Sequence, residues 1–498
     1  MVVANLEGMV TNFPIIDFSA HTMPTRQRVP IQGGRFTPPS DIGILGGHYE
    51  AISKHPFRDL DHKQSSTLIL DMLLREGAIN RRDYNHAMSQ PDTYDPRDPP
   101  VVSTHGVCKF SYETADGQRK TVILKEFDNH RELQDEIDVS EVFSDAGVSV
   151  AGYTGGRMKM HDKNGKTVHF GVKKYDESGD QTKIDASQGS LDVFTKTVED
   201  VLASITLNSD AIIDGLHKKR IKVRKAKDGH MLRSRFYDES GTYTKDDKQA
   251  VDGFISLIDA TLQQYGKKEV ASAGDVRDAN LTVSGKLLDL EPRSQTYTGI
   301  DMELRSEAHD LTYYMISLMT YADRDFTPER RAQIRSEMVG AYQQRTGLTD
   351  AEGTAYINDI VDLELIKNGV TKIGDHIQRA FSGEDDVETR MIRAKKSLEI
   401  ALETIDEKIA TGYEHSAQLE TFKASVLNQI MESQDDRMKS LQDYVSNYLN
   451  PVQPIDQINQ MSREAIPLPI IDFSSYRLPV QPMQNAMPII LFTQNLAS

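Results

Sequence analysis

Ala273-Gly-Asp-Val-Arg-Asp-Ala-Asn280-Leu-Thr-Val-Ser-Gly-Lys-Leu-Leu-Asp289-Leu-Glu-Pro292 is the stretch on which the reading of this chain turns. Leu281-Thr-Val and Lys286-Leu-Leu have the character of short strands, and Ser284-Gly285 between them reads as a two-residue hairpin loop. That register predicts Val283 opposite Lys286, Leu281 opposite Leu288, and Asn280 opposite Asp289. Directly opposed residues hold their Cβ atoms about 4.5–5.5 Å apart, so an amide oxygen and a carboxylate come together. Such a pair can hold one Mg²⁺ whose remaining positions go to water and phosphate oxygens. Asp275, in the loop leading into the hairpin, is placed to accept a hydroxyl proton while the metal holds phosphates. Asp and Asn also favour tight turns for conformational reasons alone, so the assignment needs support from the rest of the chain.

Phosphoryl transfer also requires a cation on the nucleotide phosphates. Upstream, Val107-Cys-Lys-Phe-Ser-Tyr-Glu113, a turn at Ala115-Asp-Gly117 and Lys120-Thr-Val-Ile-Leu-Lys-Glu-Phe127 read as a β-hairpin with Lys125 near the end of its second strand. A helix is expected over 131–146, then a second hairpin from Gly156-Arg-Met-Lys-Met160, the turn Lys163-Asn-Gly-Lys166 and Thr167-Val-His-Phe-Gly-Val-Lys-Lys-Tyr175. A lysine so placed must be positioned by an acid, and the helix offers Glu132, Glu136 and Glu141. Leu133, Ile137 and Glu141 fall at i, i+4 and i+8, so Glu141 continues the buried stripe and is the expected partner of Lys125. Gly106 is the glycine available for a phosphate loop before Lys125.

With these residues in place, the chain resembles the protein-kinase-like superfamily, in its aminoglycoside phosphotransferase and choline-kinase branch, over roughly 101–380. Gly274-Asp275 with Asn280 is similar to that branch's His-Gly-Asp…Asn catalytic loop, with Ala273 in the place of the His, and Leu288-Asp-Leu-Glu291 is similar to its Ile-Asp-Phe-Glu metal motif. The resemblance implies a two-lobed α+β kinase-like fold, ATP and Mg²⁺ as cofactors, and Asp275 as catalytic base. It further implies Asn280 and Asp289 as metal ligands, Lys125 as the phosphate-binding lysine and Glu141 as its partner. Arg277 sits where many protein kinases carry a lysine that touches the γ-phosphate, and His309-Asp310-Leu311 resembles the Asp-Leu after the branch's metal motif, with a structural role expected. The same stretch, together with Ser140-Glu141-Val-Phe-Ser-Asp-Ala-Gly-Val-Ser-Val150, also resembles selenoprotein O-like adenylyltransferases; Asp275, an acid those enzymes lack at this point, favours phosphotransfer.

Around this centre, five segments are expected: a Pro-rich arm with one helix (1–100), a kinase-like N-lobe (101–190), a helical C-lobe (191–383), a helical hairpin (384–450) broken at Gly412, and a Pro-rich tail (451–498). Pro14-Ile-Ile-Asp-Phe-Ser19 recurs as Pro469-Ile-Ile-Asp-Phe-Ser474, which suggests packing on like surfaces, self-association or a partner protein's groove. Lys218 to Phe236 is expected as a basic hairpin. The 498 residues carry 58 Lys and Arg against 75 Asp and Glu, a net charge of −17, which argues against general nucleic-acid affinity. A single Cys108 excludes an internal disulfide scaffold, and the absence of a long uncharged apolar run excludes a transmembrane helix, so a cytoplasmic protein is expected. The 14 His show no His-Glu-x-x-His spacing and there is no Gly-x-Ser-x-Gly elbow. The expected activity is Mg²⁺- and ATP-dependent transfer of the γ-phosphoryl group to a hydroxyl of a small molecule or protein. The alternatives are adenylyl transfer on the same fold and an inactive scaffold that binds partners.

Overall fold

The computed structural model describes residues 62–90, 107–127, 129–161, 167–240, 243–290, 301–321, 323–382 and 386–450. The chain divides into two compact units, Met1–Val445 and Ser446–Ser498. Gly106 and both copies of the Pro-Ile-Ile-Asp-Phe-Ser motif lie outside the described residues.

The first described elements are α1 (His62–Arg75) and α2 (Arg81–Met88). The expected single helix is thus two, because Gly77 takes φ +72 and closes the first, and Asn80 caps the second by accepting from Asp83 N at 2.9 Å. There follow β1 (Val107–Glu113), β2 (Arg119–Phe127), α3 (His130–Asp145), β3 (Tyr153–His161) and β4 (Thr167–Lys174). The strands form one antiparallel sheet in the order β1-β2-β4-β3. Side chains alternate across it. Phe110, Tyr112, Val122, Leu124, Phe170 and Val172 pack with Ile69, Leu70 and Leu73 of α1 on one face. Phe127 meets Leu133 and Ile137 of α3 on the other. Lys125 and Lys173 occupy odd positions of that second face, on strands whose register sets Lys125 against Gly171 and Ile123 against Lys173.

The remainder is mostly helical. It runs through α4 (Asp192–Thr197), a π turn (Val198–Leu202), α5 (Ala203–Leu207) and α6 (Ser209–Lys218) to the short strand β5 (Lys222–Lys225). After α7 (Asp228–Leu232), a second π turn (Arg233–Tyr237) and α8 (Asp238–Ser240) comes α9 (Lys245–Gln264), closed at its start by a Thr244/Asp247 capping box. The basic stretch is therefore not a hairpin. β5 pairs in parallel with β7 (Asp301–Arg305), which in turn pairs antiparallel with β6 (Val270–Ala271), and the chain leaves β5 as helix. Several of its cations are neutralised locally: Lys219 by Asp138 and Glu141, Lys225 by Asp259 and Glu269.

α10 (His309–Met319), α11 (Pro328–Thr346) and α12 (Ala351–Ser382) follow. Thr327 accepts from Arg330 N ahead of Pro328 at the start of α11, as the Thr-Pro pair predicts. α12 is buried almost all round between Leu363 and Ile377, the mark of a central helix. It admits close neighbours at two glycines: a Cβ on Gly369 would lie 3.1 Å from Ala401 Cβ, and one on Gly374 would overlap the Arg235 carbonyl. The helical pair α13 (Val387–Ala410) and α14 (Ser416–Glu432) turns at Gly412, φ +77, and buries Leu398, Leu402, Ile405, Leu419, Phe422, Val426 and Ile430. Phe422 stacks on Phe254 of α9 at 4.2 Å. The second arm of the hairpin expected over 384–450 is not one helix: it stops at Glu432 and resumes as α15 (Lys439–Leu449). Among the described residues no helix is long and apolar enough to cross a membrane.

Candidate active site

Lys125 comes off β2 onto the α3 face and is 2% exposed. Its Nζ donates to Glu136 Oε2 at 2.9 Å and lies 3.3 Å from Asp289 Oδ1. Lys173, on the neighbouring strand, repeats both contacts: 2.7 Å to Glu136 Oε1 and 3.1 Å to Asp289 Oδ1. Lys173 also donates to the Leu288 carbonyl at 2.7 Å. Tyr153 Oη donates to Glu136 Oε1 at 2.5 Å, and the Lys173 ammonium lies 4.6 Å from the Tyr153 ring centroid. Two ammonium groups and two carboxylates thus close a ring, which is how charge can be taken out of water without a large penalty. Burial by itself would raise the Glu136 carboxyl, but Lys173 and Lys125 outweigh it and hold it below its ordinary value. Asp289 is held well down in the same way, by Lys125 and then Lys173 against the effect of burial. Burial first, and then the Glu136 charge, push the Tyr153 phenol well up.

The expected partner of Lys125, Glu141, is elsewhere: it pairs with Lys219 at 2.7 Å, and its side chain is 55% exposed. The buried arc of α3 is wider than a single i, i+4 row, and Leu133, Glu136, Ile137 and Ser140 form an i, i+3, i+4, i+7 set with Glu136 inside it. Lys173 and Tyr153 were not singled out from the sequence. The available signal was the parity of β4, since Phe170 and Val172 point to the core while Gly171 and Lys173 share the face of Lys125. Gly171 makes room for this arrangement, because a Cβ there would overlap the Tyr153 ring and lie 2.8 Å from Leu133 Cδ1. Gly171→Ala is accordingly expected to lower stability by about 1–3 kcal/mol through overpacking, measured by urea unfolding, and to detach Tyr153 from Glu136.

Asp289 reaches this ring from the hairpin quoted at the outset, but in a different register. Leu281 faces Leu287, Thr282 N donates to Lys286 O at 2.9 Å, and Gly285 N donates to Thr282 O at 2.9 Å with Gly285 at φ +80. This is a three-residue loop that ends in a left-handed glycine, and it displaces the pairing by one residue. Asn280 therefore stands opposite Leu288, whose N–H donates to Asn280 O at 2.7 Å, and not opposite Asp289. Hydrogen bonds from Leu287 N to Ser149 O (3.0 Å) and Ala151 N to Leu287 O (2.8 Å) tie the hairpin to the exit of α3.

The Asp275 loop is held from beneath. Buried Asp310, at the start of α10, accepts from Ser272 Oγ at 2.7 Å and Ala273 N at 2.8 Å, and Gly274 takes φ +84 to let the chain turn. Burial raises the Asp310 carboxyl. Asp275 is 7% exposed. It accepts from Tyr313 Oη at 3.0 Å and from Asn280 Nδ2 at 3.1 Å, and pairs with Arg277 Nε at 3.2 Å. Asn280 Nδ2 also donates to the Asp275 carbonyl at 2.8 Å, which leaves its amide oxygen as the acceptor a cation would use. Among the described residues no group of three or more His, Cys, Asp and Glu side chains is gathered for a metal. The donor set still fits Mg²⁺, which takes one or two protein oxygens and fills its octahedron with phosphate and water. Asp289 supplies a carboxylate whose side chain is 29% exposed.

The antiparallel sheet, the lysines on its inner face and the helical part that follows make an α+β fold with an added C-terminal helical pair. No family model and no curated protein sequence matches the chain. Among solved structures it is similar to an ethanolamine kinase of Plasmodium vivax, with 10% identity over 72% of this chain and 96% of the other and a TM-score of 0.41. It is also similar to a macrolide 2'-phosphotransferase of Brachybacterium faecium (12% identity, 67% and 97% coverage, TM-score 0.36). A third is a spectinomycin phosphotransferase in complex with ADP and spectinomycin (12%, 61% and 90%, TM-score 0.33). At these identities and TM-scores nothing of these proteins is carried over to this chain.

Proposed function

We propose that this chain is a Mg²⁺- and ATP-dependent phosphotransferase that moves the γ-phosphoryl group to a hydroxyl. The observation that carries the reading is the meeting of Lys125 and Asp289 at 3.3 Å. It brings a cation paired with a helix acid together with a carboxylate from the hairpin that also holds Asn280 and follows Asp275. On this reading Lys125, kept in place by Glu136, binds the nucleotide phosphates, and the sheet-bearing part (101–190) and helical part (191–383) form the two walls of the nucleotide site. Asn280 and Asp289 would hold Mg²⁺, which when bound neutralises phosphate charge. Asp275 takes the proton of the acceptor hydroxyl as its oxygen bonds to the γ-phosphorus. The bond from that phosphorus to the β-phosphate oxygen breaks, and ADP leaves with the electron pair. On this reading Arg277, paired with Asp275, meets the charge of the transferring group.

Thermal unfolding of the full chain tests nucleotide binding. A ligand present at 100 times its Kd stabilises the native state by about 2.7 kcal/mol, so ATP with MgCl₂ is expected to raise the melting temperature. EDTA or Asp289→Ala is expected to remove most of the shift. A shift that is the same in Asp289→Ala would remove that residue from the metal site, and no shift at millimolar ATP would favour the scaffold.

A further inference from the structure

Lys173 is the one member of the buried ring that the proposed function leaves without a task, and its contacts point to one. Its Nζ donates to Glu136 Oε1 at 2.7 Å and to the Leu288 carbonyl at 2.7 Å. The Tyr153 ring covers another side, its centroid 4.6 Å from the ammonium. An ammonium has three N–H donors, and the remaining one meets Asp289 Oδ1 at 3.1 Å. Lys125 is anchored in the same manner on the other oxygen of Glu136, Oε2, at 2.9 Å, and reaches the same Asp289 Oδ1 at 3.3 Å. One glutamate therefore sets the spacing of two ammonium groups, and both turn a donor to a single oxygen.

The strands fix this convergence. Ile123 pairs with Lys173 and Lys125 with Gly171, so the two lysines share one face of adjacent strands, two residues out of step. Access to them is from one side: the side chains of Lys125, Glu136 and Lys173 are 3%, 8% and 6% exposed, and that of Asp289 is 29% exposed. A ligand oxygen that meets Lys125 where Asp289 Oδ1 now sits is also within reach of Lys173. A phosphate oxygen suits such a seat, because it carries charge as the carboxylate oxygen does and accepts several charge-assisted hydrogen bonds. Lysine meets it as a compact point charge, without the planar fit that arginine requires.

We propose that Lys173 is a second phosphate-binding lysine, and that one oxygen of the nucleotide's polyphosphate chain is shared between Lys125 and Lys173. The nucleotide as occupant rests on the phosphotransfer reading; the convergence of the two lysines does not. Calorimetric titration of the full chain with ATP, inorganic triphosphate and adenosine, in MgCl₂ at constant ionic strength, is the test. Lys173→Met is expected to weaken ATP and triphosphate at least about tenfold, the loss of a hydrogen bond between charged groups, and to leave adenosine binding unchanged. Lys125→Met should behave alike. ATP affinity unchanged in Lys173→Met would overturn the proposal and leave phosphotransfer standing, with Lys173 a structural member of the ring. An equal loss for adenosine would also overturn it, since that reports a distorted site and not a missing phosphate contact. Triphosphate binding that needs both lysines, with no binding of ATP, would keep the seat and sink the phosphotransfer reading. Binding of neither would sink both. Should Lys173→Met fail to fold, the ammonium signals of ¹⁵N-lysine-labelled wild type, assigned with Lys173→Arg, take its place. The Lys173 signal is expected to move together with that of Lys125 as triphosphate is added, and a Lys173 signal that stays in place would overturn the proposal.

Discussion

Asp275→Asn is expected to lower phosphotransfer by on the order of 10²–10⁴-fold, the usual contribution of a positioned general base, with the fold intact. The side chain keeps its size, and an amide oxygen can still accept from Tyr313 Oη or Asn280 Nδ2, both of which donate to Asp275. What is lost is the capacity to take a proton and the charge that pairs with Arg277. The assay is incorporation from γ-labelled ATP, with α-labelled ATP beside it. Label retained from the α position would report adenylyl transfer, the activity of the other family that the Asn280–Pro292 stretch resembles. An Asp275→Asn enzyme with full activity would show that the proton goes elsewhere and that Asp275 serves the loop alone.

Glu136→Ala is expected to cost about 3–5 kcal/mol of stability, because two buried ammonium groups would be left sharing one carboxylate. Glu141→Ala should cost less than about 1 kcal/mol, as exposed ion pairs do. Urea unfolding of the two variants side by side separates the partner in the structure from the partner expected from the helix stripe; equal losses would contradict the buried ring. The Glu136 effect also carries a sign in pH. Both carboxyls are lowered in the folded state from ordinary values of 4.5 for Glu136 and 3.8 for Asp289. The stability they contribute is therefore present in full above those values and is lost as pH falls through the folded ones. The gap between wild type and Glu136→Ala should be constant from neutrality to about pH 5 and narrow in stronger acid.

The strand pairs, the helix between them and Lys125 were legible because period-2 alternation and turn residues act locally, and β1, β2, β3 and β4 lie where those signals put them. The hairpin's register was not. Ser284-Gly285 suits a two-residue loop as well as the end of a three-residue one, and a single left-handed glycine decides between them. Glu136 was passed over because a helix packed under a sheet buries an arc wider than one row of residues. Lys173 was missed because a charged residue at a strand end looks solvated until its neighbour across the sheet is known. The basic stretch after Lys218 misled for a related reason, since β5 finds its partner in β7, far along the chain, and alternation does not reveal which strand will pair.

The ring of Lys125, Glu136, Lys173 and Asp289 has a consequence for how such a site would fill. Each ammonium touches both carboxylates, so either can let go of Asp289 and remain neutralised by Glu136. Under the proposed function, an incoming phosphate would replace Asp289 as the lysines' partner by ion exchange and leave that carboxylate for the cation that accompanies the nucleotide. With partners traded within the ring, such loading would leave no buried charge alone.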